Sequence, residues 1–396
     1  MTAERHFTGR VLYVARAPFI SGAERALMSM LRHLDRERVE PALVLGYETE
    51  LIDAARSMDM PVQVVSMPRR SGAGWLSWWR SVRRLGAIIA GFRPDLVHAN
   101  DVPSCQALSV AAGRRGVARA IHVRWGIGAK DAGWFARGGA ECVICISGWV
   151  RDQLGPIDGT PLMGAGIEVL HDAVDWPALD VSGPDRIVPP TPTLGFAGQL
   201  IEAKGLDLLI EALARMPEAR RPRLVVAGRD SQSGGAYEGS LRDLAARRGV
   251  SDLIEWSGFL DDVSELYRRV TAVVCPSRVE PLGLVPLEAA RFGVPAFANR
   301  VGGLVETIED GRTGWLIGPG DDPGAPGAPG GDSGGEAWAA ALADVFDQEK
   351  VNRLGRAARE ATRLRFSPAV YQHRLMEIYG RMRSAWSLTG RHIGIE

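Results

Sequence analysis

Short apolar runs rich in β-branched residues alternate along this chain with segments whose apolar residues recur at helical spacing. In the first half, strands are predicted at 11–15, in VEPALVLG, at 60–67, in RPDLVHAND (93–101), in ARAIHVRWG (118–126) and in ECVICIS. After the first of these, FISGAERALMSMLRHLD passes from a loop into an amphipathic helix with Ala26, Leu27, Met30, Leu31 and Leu34 on its apolar stripe. Gly22, at the loop-to-helix junction Ser21-Gly22-Ala23-Glu24, lets backbone approach a ligand, and the helix start favours an anion. The second half repeats the alternation. TLGFAGQL, RLVVAGRD and LIEWSGFL read as strands, and GLDLLIEALARM, YEGSLRDLAARRGV and DDVSELYRRV as helices. EAWAAALADVF, VNRLGRAAREATRLR and residues 367–383 add three closing helices.

One stretch, residues 276–320, carries the densest chemical pattern. AVVCPS (272–277) is an apolar run ending at a proline, as a buried strand does, and LVPLEAARFG is a helix stopped by Gly293. The order is strand, loop with Glu280, then helix with Glu288. In parallel α/β sheets the crevice beyond the carboxyl end of a strand is where ligands bind. Backbone N–H groups of Gly283, Leu284 and Val285 have no partner within the helix and suit a phosphate. Glu288 then faces hydroxyl groups set back from that phosphate, and Glu280 sits closer to the chemistry.

Composition narrows the classes. At 396 residues the chain suits two domains. Lys+Arg and Asp+Glu stand at 47 each, so no global charge points to nucleic acid. No apolar run is long enough to cross a membrane, and MTAERHFTGR precedes no signal-like apolar segment, so a soluble, cytoplasmic protein is expected. Trp75, Trp78 and Trp79 lie among Arg69, Arg70, Arg80, Arg83 and Arg84, a combination that suits either peripheral contact at the inner membrane face or a half-exposed helix covering the sheet. Cys142 and Cys145 form a C-x-x-C, but within a strand their side chains point to opposite faces and no second pair completes a zinc site. Only Lys130, Lys204 and Lys350 are lysine, so a lysine kept against that bias toward arginine is a candidate for function.

The stretch around Glu280 and Glu288, with Gly302-Gly303-x-x-Glu306 and Glu309-Asp310-Gly311-x-x-Gly314, resembles the Glu-x7-Glu signature of the retaining glycosyltransferases of family 4. Ser21-Gly22-Ala23-Glu24 is similar to the family's Gly-Gly-x-Glu-Arg. RPDLVHAND, AECVICISGWVRDQL with Ser147, and GIEVLHDAVDW with Asp172 in place of an asparagine are similar to further family segments. The resemblance implies an α/β fold of two Rossmann-like domains facing across a cleft, the GT-B architecture, with the last helix crossing back to the first domain. The expected divisions are 1–186 for the acceptor domain, 187–366 for the donor domain and 367–396 for the returning helix and tail, with the boundary in VSGPDRIVPPTPT.

The resemblance also implies the roles. Lys204 meets the donor diphosphate, where charge develops as it leaves. Gln199 stands where the family has an arginine; an amide donates hydrogen bonds without neutralising charge, and Arg229 is placed to compensate. The nucleobase lies near Gly258, Phe259 and Leu260, and Glu288 accepts from the ribose hydroxyls. Glu280 positions the transferred sugar, and His122, or Arg124 if the register slips, reaches it from the other domain; His98 is expected to be structural. The donor is a nucleoside-diphosphate sugar, foremost a UDP-sugar, with no other cofactor. No Asp-x-Asp occurs, so no metal is expected. The acceptor, read by loops near 16–22, 75–84, 98–104 and 123–134, is a glycan, a lipid-linked sugar or a small natural product. Gln199 leaves room for a protein that binds a sugar nucleotide without transferring it. A nucleotide-sugar epimerase is a further alternative, and the lack of Gly-x-Gly-x-x-Gly after either first strand disfavours a nicotinamide oxidoreductase.

Overall fold

The computed structural model describes residues 7–17, 22–68, 74–125, 139–154, 166–175, 189–318 and 334–389. The chain divides into two compact units, Met1–Ala173 with Pro368–Glu396, and Val174–Ser367. The division falls ahead of the proline-rich segment near residue 187 where the sequence reading put it, and only 189–193 of that segment lie among the described residues.

In the first unit, β1 (Gly9–Ala15), β2 (Val39–Leu45), β3 (Val62–Val64), β4 (Leu96–Ala99), β5 (Ala118–Val123), β6 (Cys142–Cys145) and β7 (Gly166–Val169) form one sheet in the order β3-β2-β1-β4-β5-β6-β7. Every pairing is parallel. The strands β4, β5 and β6 are buried at every position, as central parallel strands covered on both faces must be. The helices α1 (Gly22–Arg32), α2 (Leu51–Arg56), α3 (Trp75–Phe92), α4 (Val102–Gly113) and α5 (Gly148–Asp152) connect them. Asp101 caps α4 by accepting from the Ser104 amide at 2.7 Å, and Ser147 caps α5 by accepting from Val150 at 3.0 Å.

The second unit holds β8 (Thr193–Ala197), β9 (Arg223–Ala227), β10 (Ile254–Gly258), β11 (Ala272–Cys275), β12 (Ala296–Asn299) and β13 (Gly314–Ile317) in the order β10-β9-β8-β11-β12-β13, again all parallel. Counted from its first strand this is the doubly wound 3-2-1-4-5-6 order, and its topological switch point lies between β8 and β11. The helices are α6 (Leu206–Arg215), α7 (Ala236–Arg247), α8 (Ser264–Arg269), α9 (Leu284–Ala290), α10 (Leu304–Thr307), α11 (Gly334–Leu342) and α12 (Gln348–Arg365). The helix of the Glu288 segment ends at Ala290, and Gly293 stands in the predicted stop position, closing the following turn with φ 69°.

The last helix, α13 (Pro368–Thr389), belongs to the first unit. Its Tyr371, Leu375, Met376, Ile378, Tyr379 and Met382 share a core with Leu27 and Leu31 of α1 and with the inward face of β1 and β2. Gln372 donates to the Met30 carbonyl at 2.8 Å.

The structure places the α3 tryptophans and the β6 cysteines. Trp78 is buried, Trp79 is half-buried beneath the Arg114 guanidinium at 4.8 Å, and only Trp75 of the three is exposed, so α3 presents one of these tryptophans to its surroundings rather than three. No helix of the described residues is long and apolar enough to cross a membrane. Cys142 and Cys145 are buried thiols on β6, and burial pushes the Cys145 thiol up to about 12. Among the described residues no group of His, Cys, Asp and Glu gathers to hold a metal ion.

Candidate active site

Four neighbouring strands of the second unit, β10, β9, β8 and β11, deliver sequence-predicted residues from their carboxyl ends. After β8 the chain runs through Gln199 to a single 3₁₀ turn, Glu202–Lys204. After β11 it enters the loop of Ser277, Arg278 and Glu280. The two loops meet: Lys204 Nζ lies 2.6 Å from Glu280 Oε2, and the Ser277 hydroxyl donates to the same oxygen at 3.3 Å. Both side chains are partly exposed, at 26% and 15%, so the pair is open to a ligand while keeping a defined geometry.

Two glycines make this approach possible. A Cβ at Gly205, whose φ is 67°, would overlap the Pro276 carbonyl oxygen. One at Gly302, with φ 54°, would overlap the Glu280 carbonyl oxygen. Gly303 N donates to that same Glu280 carbonyl at 2.8 Å. Asn299, buried at the end of β12, donates to the carbonyls of Pro276 at 2.8 Å and Ser277 at 3.0 Å, and Trp338 Nε1 in turn donates to Asn299 Oδ1 at 2.7 Å. The Glu280 loop is therefore set from below by side-chain hydrogen bonds.

Gly283, Leu284 and Val285 lead from this loop into α9, which carries Glu288 one turn on. The hydroxyl of Tyr267, buried on α8, donates to Glu288 Oε2 at 2.8 Å. Burial, with the neighbouring Glu288 charge adding to it, pushes the Tyr267 hydroxyl well above its ordinary range, so it remains a donor. Beyond β9 and β10, the exposed Arg229 guanidinium lies over the Phe259 ring at 4.8 Å. Phe259 is half exposed and offers a flat face, while Leu260 is partly buried against the core beneath. Gln199 is exposed.

The first-unit expectations fare differently. Gly22 opens α1, and Ser21 lies outside the described residues, as do 126–134 of the predicted acceptor loops. His122 does not reach a surface from which it could touch a sugar. It is fully buried inside β5, its ring 5.5 Å from that of His98 and stacked 6.5 Å from Tyr371. A side chain pointing from mid-strand into the sheet–helix interface has no outlet, which corrects its assignment. Burial, then the nearby Arg124 charge, lowers the His98 pKa to about 3, and burial, Arg124 and His98 push that of His122 well below its ordinary value. Arg124 does not replace it: its guanidinium is buried, paired with Asp172 and hydrogen-bonded to Asn100 Oδ1 at 3.1 Å. His98 is structural, bonded through Nδ1 to the Tyr379 hydroxyl at 2.5 Å.

Sequence reading missed Tyr267, Ser277, Arg278, Asp207 and Asn299. Tyr267, Arg278, Asp207 and Asn299 act through contacts distant in sequence, whereas Ser277 meets Glu280 three residues on. Position two residues before Glu280 could have marked Arg278, but not its partner.

Two family models divide the chain between them. Residues 184–325 match the glycosyl transferases group 1, and residues 20–175 match glycosyltransferase family 4. A D-inositol 3-phosphate glycosyltransferase 2 of Catenulispora acidiphila is 40% identical over 144 residues, 34% of this chain and 33% of that protein, so the chain spans about a third of that relative's length. Among solved structures, a glycosyltransferase from Rickettsia africae ESF-5 superposes with a TM-score of 0.79 at 18% identity, covering 95% of this chain and 98% of that one. Anabaena HepE, crystallised in complex with UDP and glucose, gives 0.75 at 19% identity over 94% and 99%. At such identity the likeness is one of fold, and two Rossmann-like units in one chain define the GT-B class. Within that class, the chain belongs to the group 1 glycosyltransferases.

Proposed function

We propose that this protein moves a sugar from a nucleoside-diphosphate sugar to an acceptor hydroxyl with retention of anomeric configuration. The observation that carries the reading is the meeting of Lys204 with Glu280 at the switch point between β8 and β11, with Glu288 one helical turn beyond. A cation for a diphosphate and carboxylates for sugar and ribose hydroxyls are what such a donor needs. Anabaena HepE with UDP and glucose is a structural neighbour, and it makes a UDP-sugar the first donor to test.

In this reading the bond from sugar C1 to the diphosphate oxygen breaks and its electron pair leaves with the diphosphate. The acceptor oxygen bonds to C1 from the same face, and its proton passes to the departing phosphate. Lys204 stabilises the growing charge, aided by the Gly283 and Leu284 amides. Glu280 orients the sugar through its hydroxyls and forms no covalent intermediate. Phe259, with Arg229 behind it, provides a surface for the base, and Leu260 lines its edge. Gln199 supplies hydrogen bonds where the family supplies charge. Because the sequence has no Asp-x-Asp, turnover is expected to survive a chelator. The acceptor belongs to the classes of glycan, lipid-linked sugar or small natural product.

The test is turnover of UDP-, GDP-, ADP- and dTDP-sugars with an acceptor panel, followed by proton NMR of the anomeric centre. Product with the donor's configuration, formed equally in EDTA, supports the reading. Inverted product contradicts retention. Tight donor binding without release of nucleotide under any acceptor would instead favour a binding protein, the reading that Gln199 motivates.

A further inference from the structure

Lys204 stands on a turn too short to be rigid by itself. The 3₁₀ turn Glu202–Lys204 spans three residues, and neither end is capped by a side chain. A lysine ammonium sits at the end of a flexible four-carbon stem, so its position is only as fixed as the backbone that carries it. What fixes this backbone is one residue of the opposite loop.

Arg278 holds the turn at two points and the helix that follows it at a third. Its amide donates to the Ala203 carbonyl at 2.8 Å. Its Nη1 donates to the Glu202 carbonyl at 2.7 Å and to Asp207 Oδ1 at 2.9 Å, and its Nη2 donates to Asp207 Oδ2 at 2.6 Å. Asp207 lies in the first turn of α6, and the Tyr237 hydroxyl donates to its Oδ1 at 3.3 Å. One guanidinium thus ties both flanks of Lys204 to the loop that carries Glu280. Burial alone would raise the Asp207 carboxyl, but the Arg278 hydrogen bonds and charge outweigh it and leave the group below the usual range, as expected of a carboxylate committed to a cation.

We propose that Arg278 is a positioning residue that sets the Lys204 ammonium for the donor diphosphate. The inference rests on the donor site proposed above. It also bears on Gln199, since a site with one fewer cation depends more heavily on the placement of the cation it has. Arg278 cannot itself take the diphosphate in this arrangement, because its charge is paired with Asp207 and its donors are directed at Asp207 and Glu202. A lysine in its place carries the charge but cannot span two carboxylate oxygens and a carbonyl at once.

The contribution of Lys204 is read as the preference for a nucleoside diphosphate over the matching monophosphate. Calorimetry would compare UDP with UMP, GDP with GMP, ADP with AMP and dTDP with dTMP, in wild type, Lys204→Ala, Arg278→Lys, Arg278→Met and Asp207→Asn. For the base that binds, wild type prefers the diphosphate and Lys204→Ala removes the preference. Arg278→Lys and Asp207→Asn are expected to weaken diphosphate binding about tenfold or more while monophosphate binding stays within about twofold. The Arg278 amide bond to Ala203 survives in every variant, and Asp207→Asn keeps the side-chain shape, so a folding failure in one leaves the others to decide. Unchanged diphosphate preference in folded Arg278→Lys, Arg278→Met and Asp207→Asn overturns the inference while leaving the donor site standing. No preference in wild type, or a preference that Lys204→Ala retains, overturns the donor assignment of Lys204 and the inference with it.

Discussion

Lys204 and Glu280 lie 2.6 Å apart with their side chains 26% and 15% exposed, a placement in which an ion pair contributes about 0–1 kcal/mol to stability. Lys204→Ala should therefore shift the melting temperature by no more than a few degrees while lowering turnover of the best donor by about 10²–10³-fold, the range for removing one group aimed at developing charge. Steady-state kinetics beside a thermal melt checks this; a large loss of stability with turnover intact would make the pair structural. Tyr267 poses the converse case. Its buried hydroxyl has a charged acceptor, Glu288 Oε2, at 2.8 Å, and a hydrogen bond to a charged group is worth about 1.5–3 kcal/mol. Tyr267→Phe should lose stability on that order in urea, and should shrink the affinity ratio of UDP to 2′-deoxy-UDP, because Glu288 then loses the partner that holds it toward the ribose. An unchanged ratio would detach Tyr267 from the donor site.

At the scale of elements, the sequence was legible wherever an apolar run was bounded by turn residues or an amphipathic stripe was continuous. The strands β1, β2, β9 and β11 and the helices α1, α6 and α12 fall where the patterns predict them. Helix α4 was not legible: VPSCQALSVAAG is small and apolar on nearly every side, so it shows no stripe, and in the fold it is buried on most of its surface. Strand β12, AFAN, was not legible either, since two of its four residues are alanine, which favours strands little, and a third is asparagine. His122 shows the limit on function, since resemblance located the strand but not which way its side chain points. The glycine-held loops were visible only as glycines, because their reason lies in carbonyls from another loop. Gly302→Ala puts a Cβ against the Glu280 carbonyl at a φ of 54°, and about 1–3 kcal/mol of destabilisation is expected, measured by urea unfolding. Donor binding should weaken with it, since the displaced backbone carries Glu280; a variant as stable as wild type would mean the loop yields freely.

At the scale of the whole molecule, each unit has its own core, and the first encloses two neutral histidines. The folded pKa of His98 is about 3 and that of His122 also lies below its ordinary value of 6.5, so above pH 6.5 neither state takes a proton and stability is unaffected. Below it the unfolded chain binds protons that the native rings refuse, and stability falls as pH falls toward the folded values. Between pH 7.5 and 5.5 this amounts to roughly 1 kcal/mol per histidine, and urea unfolding of the first unit at the two pH values should show it. A flat profile would mean that those rings are accessible to protons in the native state. The second unit is where the proposed chemistry rests, and Glu288 is the residue through which it is most cleanly tested. Melting temperatures of wild type and Glu288→Ala would be taken with UDP, GDP, ADP, dTDP and NAD, since a ligand that binds only the folded state raises the melting temperature by mass action. One nucleoside diphosphate raising wild type and not Glu288→Ala is the expected result, and a rise with NAD alone, or with no nucleotide at all, would contradict a nucleotide-sugar site at β8 and β11.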